Sequence, residues 1–368
     1  MEHPPTGRTI GFPRESGTER RTICTPAVAQ ALVQAGFGVI TEPGIGAGVF
    51  IDDALYAAAG ARFADGATVW SAPLVLRYKS PDPADLKRLN PGQRIAALFH
   101  AEGDVALLSA LKSSQVTAYS YEFVAENGRF PLGRPGGEIA GIQAVLAGAQ
   151  ALQTPNGRGV LLAGVPGACP AQVLIIGSGN VGSAAARTAV ALGADVIVLA
   201  RCEESRSAYL RDAPDGVRVL INSPETLRDL LPTADLVIGA ILVSTYDTPQ
   251  MISSAQVHDM RQGAVIVDAT CGYGPGYMPS AGPVQRLGDP PHVVAGVLHV
   301  KIDVWPALVP VTATSAYTAN AVPYLERLAR VALLGAQDLA IGASVIARDG
   351  QLLHPVLRQH ARIYGMQS

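Results

Sequence analysis

One segment constrains this chain more than any other: VLIIGSGNVG, Val173 to Gly182, an apolar strand-like run followed at once by G-x-G-x-x-G and then by an Ala-rich stretch. Gly177 permits a tight turn, Gly179 lets the backbone approach a pyrophosphate, and Gly182 lets the helix lie close to the strand. The N–H groups of that helix's first turn attract negative charge. Gly177, Ser178, Gly179, Asn180, Val181 and Gly182 are therefore the candidate phosphate cradle. A glycine-rich turn that binds nothing is the bland alternative, and the flanking strand and helix weigh against it.

The next strand, DVIVLA, ends at Ala200, where a Rossmann domain selecting NAD carries an acid for the ribose 2′-hydroxyl. Arg201 follows and Arg206 is close by, so a 2′-phosphate meets no repulsion and finds guanidinium partners. NADP(H) is favoured over NAD(H). In the competing reading Arg201 stacks on adenine, or Glu203 or Glu204 takes over the ribose contact.

A chain of 368 residues is long for one core, so two domains are expected. Strand-like and helical runs alternate from Thr9 to about Ser120 and again from Gln172, the rhythm of two α/β units with mostly parallel sheets. Glu138 to Gln153 reads as a long connecting helix, and Ser315 to Ala340 as another. The formal net charge of −2 offers nothing to nucleic acid or an anionic membrane. No apolar run approaches the roughly 18 residues of a membrane span, and no secretory signal opens the chain, so a cytoplasmic location is expected. Cys24, Cys169, Cys202 and Cys271 are scattered, with neither metal-site nor disulfide spacing.

Outside the glycine motif, chemistry is sparse. The chain has only four lysines, and Lys79 ends an apolar strand in RYKSP while His100 ends the next, IAALFH. C-terminal strand ends are where α/β folds hold ligands, and a Lys with a His can hold a carboxylate and shuttle a proton. Singly, each reads as a solvated strand end or a hydrogen-bonded cap. Arg21, in ERRTICTP, is hard to separate from Arg20 beside it.

Taken in order, GFPRE, RRTICTP, AGFGVITEPGIGAGVF, YKSP, LFH, GRGVLLAGVPG, GSGNVG, ADLVIGAILV, AVIVD and VPVTATSAYTANAVPYL resemble alanine dehydrogenase and its relatives over nearly the whole chain. The resemblance implies an α/β fold of two Rossmann-like domains with parallel sheets. The nucleotide-binding domain, residues 137–310, is then inserted into a discontinuous substrate domain, residues 1–136 and 311–368. Position by position, Arg21 and Lys79 resemble the residues that hold the substrate carboxylate, and His100 the proton-transfer histidine. Asn222 matches an adenosine-side contact, and Ile241 and Leu242 match nicotinamide-side contacts. A homo-oligomer, dimer or hexamer, is implied as well.

Departures from the family pattern are concentrated around the substrate. Cys271 or Gly272 stands where the family has a second catalytic aspartate. Gly136 and Gly137 replace a substrate-side methionine and a phosphate-binding serine. Val304 and Trp305 replace an Asn and a Met near the nicotinamide, which places Gly136 and Trp305 on the substrate wall. The resulting expectation is an NAD(P)H-dependent amino acid dehydrogenase or imine reductase for an amino acid or 2-oxo acid larger than alanine, with no metal. Alternatives are an opine-like reductive condensation of a 2-oxo acid with an amine, and a non-catalytic nucleotide-binding protein.

Overall fold

The computed structural model describes residues 6–241, 250–270, 278–286 and 288–366. Its contacts divide the chain into two units, Met1–Pro135 with Val309–Ser368, and Gly136–Leu308. The division falls in the first turn of the helix Arg134–Ala151.

The first arm contributes β1 (Thr9–Phe12), β2 (Gly38–Thr41), β3 (Arg62–Phe63), β4 (Leu74–Lys79), β5 (Arg94–Leu98) and β6 (Thr117–Ser120). The second unit holds β7 (Gln172–Ile176), β8 (Asp195–Ala200), β9 (Arg218–Ile221), β10 (Leu236–Gly239), β11 (Val265–Asp268), β12 (His292–Val294) and β13 (Val297–Lys301), and the returning tail adds β14 (Val345–Arg348) and β15 (Gln351–Leu352). Among the described residues the sheet orders are β15-β14-β6-β5-β4-β1-β2-β3 and β12-β13-β11-β10-β7-β8-β9. Pairing is parallel except at β6–β14, β14–β15 and β12–β13.

Alternation along single strands shows that both faces of each sheet are covered. In β4, Leu74, Leu76 and Tyr78 enter one core while Val75 enters another. In β7, Val173 and Ile175 face one core, and Leu174 and Ile176 the opposite one. Near-continuous apolar runs are what parallel strands buried on both faces require. Each fully buried Leu, Ile or Val contributes roughly 1.5–3 kcal/mol. The order reverses around β1 in one sheet and around β7 in the other, and such switch points place ligands beyond the strands' C-terminal ends.

Two parts of the chain differ from the sequence reading. The late helix runs Pro310–Leu334 rather than from Ser315 to Ala340, because Gly335 adopts a left-handed conformation (φ 71°) and returns its N–H to the Arg330 carbonyl. The tail carries β14 and β15 besides helices. β13 pairs with β11 and lies inside the second sheet. Among the described residues no helix is long and apolar enough to cross a membrane.

Candidate active site

In the second unit the glycine loop has the backbone its sequence demands. Gly177 sits at φ 119°, and a Cβ on Gly182 would lie 1.9 Å from the Gly177 carbonyl oxygen. A side chain at either position would break the turn between strand and helix. Gly179 has nothing within 4 Å of a Cβ and caps the helix Asn180–Ala191 with no side-chain hydrogen bond. Open backbone at a helix N-terminus fits a pyrophosphate. Gly137 serves the same cradle from behind: its Cβ would come within 3.3 Å of Asn180 Cβ and 3.5 Å of Val181. The long helix can thus pack tightly on the first turn of the cradle helix.

Beyond β8, Ala200 is fully buried and Arg201 exposed. Arg206 is placed differently from the sequence reading. Its Nε donates to the Val219 carbonyl (2.9 Å) and its Nη1 to Glu203 (2.9 Å), so much of its fork faces β9 and its own helix. Arg201 makes neither of these contacts and stands exposed at the end of β8. Asn222 donates its backbone N–H to the Ala200 carbonyl (2.8 Å), which sets it beside the end of β8, and its Oδ1 is buried without a protein partner. Ile241 is half-buried past the end of β10. Leu242, Cys271 and Gly272 lie outside the described residues.

Trp305 also differs from expectation. It is 2% exposed within the core of the second unit, and its indole N–H donates to the Asp268 carbonyl (3.2 Å). A Cβ on Gly136 would meet only Pro306, at 3.8 Å. The tryptophan therefore fills the core instead of the space that Gly136 leaves.

In the first unit Lys79 ends β4, past a bulge, and pairs in register with Leu98, the last residue of β5, so His100 lies two residues beyond the end of the neighbouring strand. Lys79 is half-buried and His100 exposed, the latter in a left-handed backbone conformation (φ 43°). Arg21 is buried, 4% exposed, and engages Glu19 bidentately at 2.7 and 2.6 Å while lying 4.5 Å over the Tyr78 ring. Burial works against both charges of that pair, but their mutual hydrogen bonds and attraction overcome it: the Glu19 carboxyl is held below its usual range and the Arg21 guanidinium above its own. Lys79 adds to the lowering at Glu19. Burial pushes the Tyr78 phenol up to about 12. Burial and the charge of Glu122 push Glu102 up to about 7.

Several polar residues around Lys79 and His100 escaped the sequence reading. Glu15 accepts the backbone N–H groups of Tyr78 and Lys79 and the Nη2 of buried Arg77, whose Nη1 pairs with Asp85. Glu122 accepts those of Phe99 and His100. Both glutamates stand just past the ends of parallel strands, β1 and β6, the same signal that singled out Lys79 and His100.

Two family models match almost end to end: "Alanine dehydrogenase/PNT, N-terminal domain" over residues 11–140 and "Alanine dehydrogenase/PNT, C-terminal domain" over residues 144–355. An alanine dehydrogenase of Bacillus subtilis is 34% identical, over 94% of this chain and 92% of its own length. One of Halomonas elongata is 35% identical over 97% of both. The solved structure of an L-alanine dehydrogenase superposes with a TM-score of 0.87 at 33% identity, covering 96% of this chain and 99% of that one. With the glycine cradle at the end of β7 and both parallel sheets in place, the chain belongs to the alanine dehydrogenase/PNT family, as a nicotinamide-dependent oxidoreductase of amino acid and 2-oxo acid substrates.

Proposed function

We propose that the chain is an NADP(H)-preferring amino acid dehydrogenase, interconverting an amino acid with its 2-oxo acid and ammonia through the imine, for a side chain larger than that of alanine. The observation that carries this reading is the placement of Lys79 and His100 at the C-terminal ends of adjacent parallel strands. The bound nicotinamide supplies or accepts the hydride. The Lys79 ammonium holds the substrate carboxylate, and the buried Arg21 adds positive charge behind it. His100 takes the proton released as the amine becomes an imine and returns it in the other direction. Ala200 and Arg201 support the cofactor preference, and the small residue at Gly136 supports the larger side chain. The first unit, Met1–Pro135 with Val309–Ser368, is read as the substrate domain and the second as the cofactor domain.

A specific observation favours a second reading, alanine itself as substrate, since relatives near 34% identity carry that name. One assay separates them: oxidation of NADPH and of NADH with a panel of 2-oxo acids, each given ammonium or a primary amine. The proposal expects NADPH and oxo acids bulkier than pyruvate to give the highest kcat/KM. Pyruvate with NADH as the best pair refutes it, and turnover only with an amine shows a condensing enzyme.

A further inference from the structure

The strands that present Lys79 and His100 end on the same device. At the end of β4 the N–H groups of Tyr78 and Lys79 both point at the Glu15 carboxylate, at 2.7 and 3.3 Å. At the end of β5 those of Phe99 and His100 both point at Glu122, at 3.2 and 2.7 Å. Glu15 follows β1 and Glu122 follows β6, so the sheet order β6-β5-β4-β1 sets Glu122, His100, Lys79 and Glu15 along one edge. Each reactive residue has its own carboxylate on its outer side.

Satisfying strand-end N–H groups does not require carboxylates, since water or a small polar side chain does so at lower desolvation cost. Here Glu15 is only 5% exposed, burial pushes its carboxyl above the usual range, and Arg77, 1% exposed, is spent on holding it. His100 is held in a left-handed conformation, φ 43°, which residues other than glycine adopt uncommonly. Charge burial and backbone strain converge on the two residues that handle the substrate.

We infer that Glu15 and Glu122 are positioning residues that fix Lys79 and His100 relative to one another, each acting through its partner's backbone. The inference rests on the roles given above to Lys79 and His100. With both adjoining N–H groups pinned, the imidazole keeps only its own side-chain rotations, and a shift of about 1 Å at such a group can cost about 100-fold in rate. A merely structural glutamate would lower stability without acting through His100.

The full-length variants E122Q, E122D, H100Q, K79Q and H100Q/E122Q test this, by kcat and KM for the best oxo acid and by NADPH binding from fluorescence. E122Q keeps one acceptor oxygen and is expected to lower kcat about 10- to 100-fold with NADPH affinity within about threefold; E122D, which keeps both oxygens, falls between it and the parent. In the H100Q background E122Q is expected to change kcat by less than about threefold, because the group it positions is already gone. Retention of kcat in E122Q, full multiplication of the two losses, or loss of NADPH binding in both E122Q and E122D overturns the positioning role. Activity within about fivefold in H100Q and K79Q instead overturns the roles on which it rests, whatever Glu122 does.

Discussion

Arg21 and Glu19 are locked by two charge-assisted hydrogen bonds, Nε to Oε1 at 2.7 Å and Nη2 to Oε2 at 2.6 Å, with both side chains largely buried. The bidentate edge of Arg21 is thus committed within the protein, and under the function proposed above Lys79 is the principal anchor for the substrate carboxylate.

A buried pair of this kind is costly to break from one side, about 3–5 kcal/mol, because the remaining charge has no partner. E19Q is expected to lose stability on that scale, whereas R21M/E19Q, which removes both charges, recovers at least half of the loss. Urea unfolding of the parent, both single variants and the pair measures it. A double variant less stable than E19Q would show that the ion pair itself is not what holds this corner. In the R21M single variant, KM for the oxo acid is expected to rise about 3- to 10-fold, equivalent to one charge-assisted contact, with kcat little changed.

The cofactor preference proposed above rests on the end of β8. Under the proposed NADP(H) preference, A200D sets a carboxylate at the end of β8 to meet the ribose 2′-hydroxyl, and it is expected to reverse the preference from NADPH to NADH by about 1–3 kcal/mol in kcat/KM. Because Arg206 is engaged with Val219 and Glu203, R201A is expected to weaken NADPH binding more than R206A does. Equal effects of the two replacements on NADPH affinity, read by fluorescence titration, would contradict this assignment.

These predictions show where the sequence was readable. The glycine turn and the strand ends that carry Lys79 and His100 were legible because each follows an apolar run, and a parallel strand buried on both faces announces its own end. Glu15, Glu19 and Glu122 were not, because a lone glutamate in a loop reads as a solvated charge. The partners of Glu15 and Glu122 are backbone N–H groups that only the strand order brings near. Arg206 was misplaced because proximity in sequence says nothing about which way a helical arginine turns, and here β9 offers it a carbonyl. Trp305 illustrates the converse: the family position suggested a pocket wall, while a large aromatic with a hydrogen-bond partner for its N–H is equally suited to a core. β14 and β15 are short and carry little signal of their own, and the pairing of β14 with β6 and of β15 with β14 gives them their form.

His299 gives the fold a pH dependence. It is fully buried, with Nδ1 at 3.1 Å from the Val297 carbonyl and Nε2 at 3.0 Å from Ser280 Oγ. Burial, above all, lowers its pKa from 6.5 to about 4. The unfolded chain therefore binds a proton that the native chain refuses between those values, so the contribution is complete above about pH 6.5 and is lost as pH falls toward 4. Between pH 7.5 and 5 this group alone costs about 2 kcal/mol. H299Q, which cannot titrate, is expected to be less stable at pH 7.5 but to lose about 2 kcal/mol less than the parent over that interval. Parallel slopes in urea unfolding at the two pH values would exclude His299 as the source.

Substrate size is the prediction that separates this chain from the alanine dehydrogenases it resembles. On the family resemblance Gly136 stands in place of a methionine, and the proposed function takes that as room for several more heavy atoms of substrate. Trp305 does not refill it, being packed in the core with its N–H on Asp268. An apolar wall left unfilled forgoes about 0.8 kcal/mol per missing methylene, so alanine should be processed less efficiently than amino acids with two to four more side-chain carbons, by about 10- to 100-fold in kcat/KM. G136M tests the cause directly. A Cβ there meets only Pro306, at an ordinary van der Waals distance of 3.8 Å, and the position lies in a helix, so the variant should fold and gain up to about 1 kcal/mol from helix propensity. A raised melting temperature would show that the side chain is accommodated. With folding thus controlled, the ratio of kcat/KM for the bulky amino acid over alanine is expected to fall by at least tenfold in G136M. If the ratio is unchanged while the melting temperature rises, Gly136 is not part of the substrate wall, and the size preference must be sought at other residues.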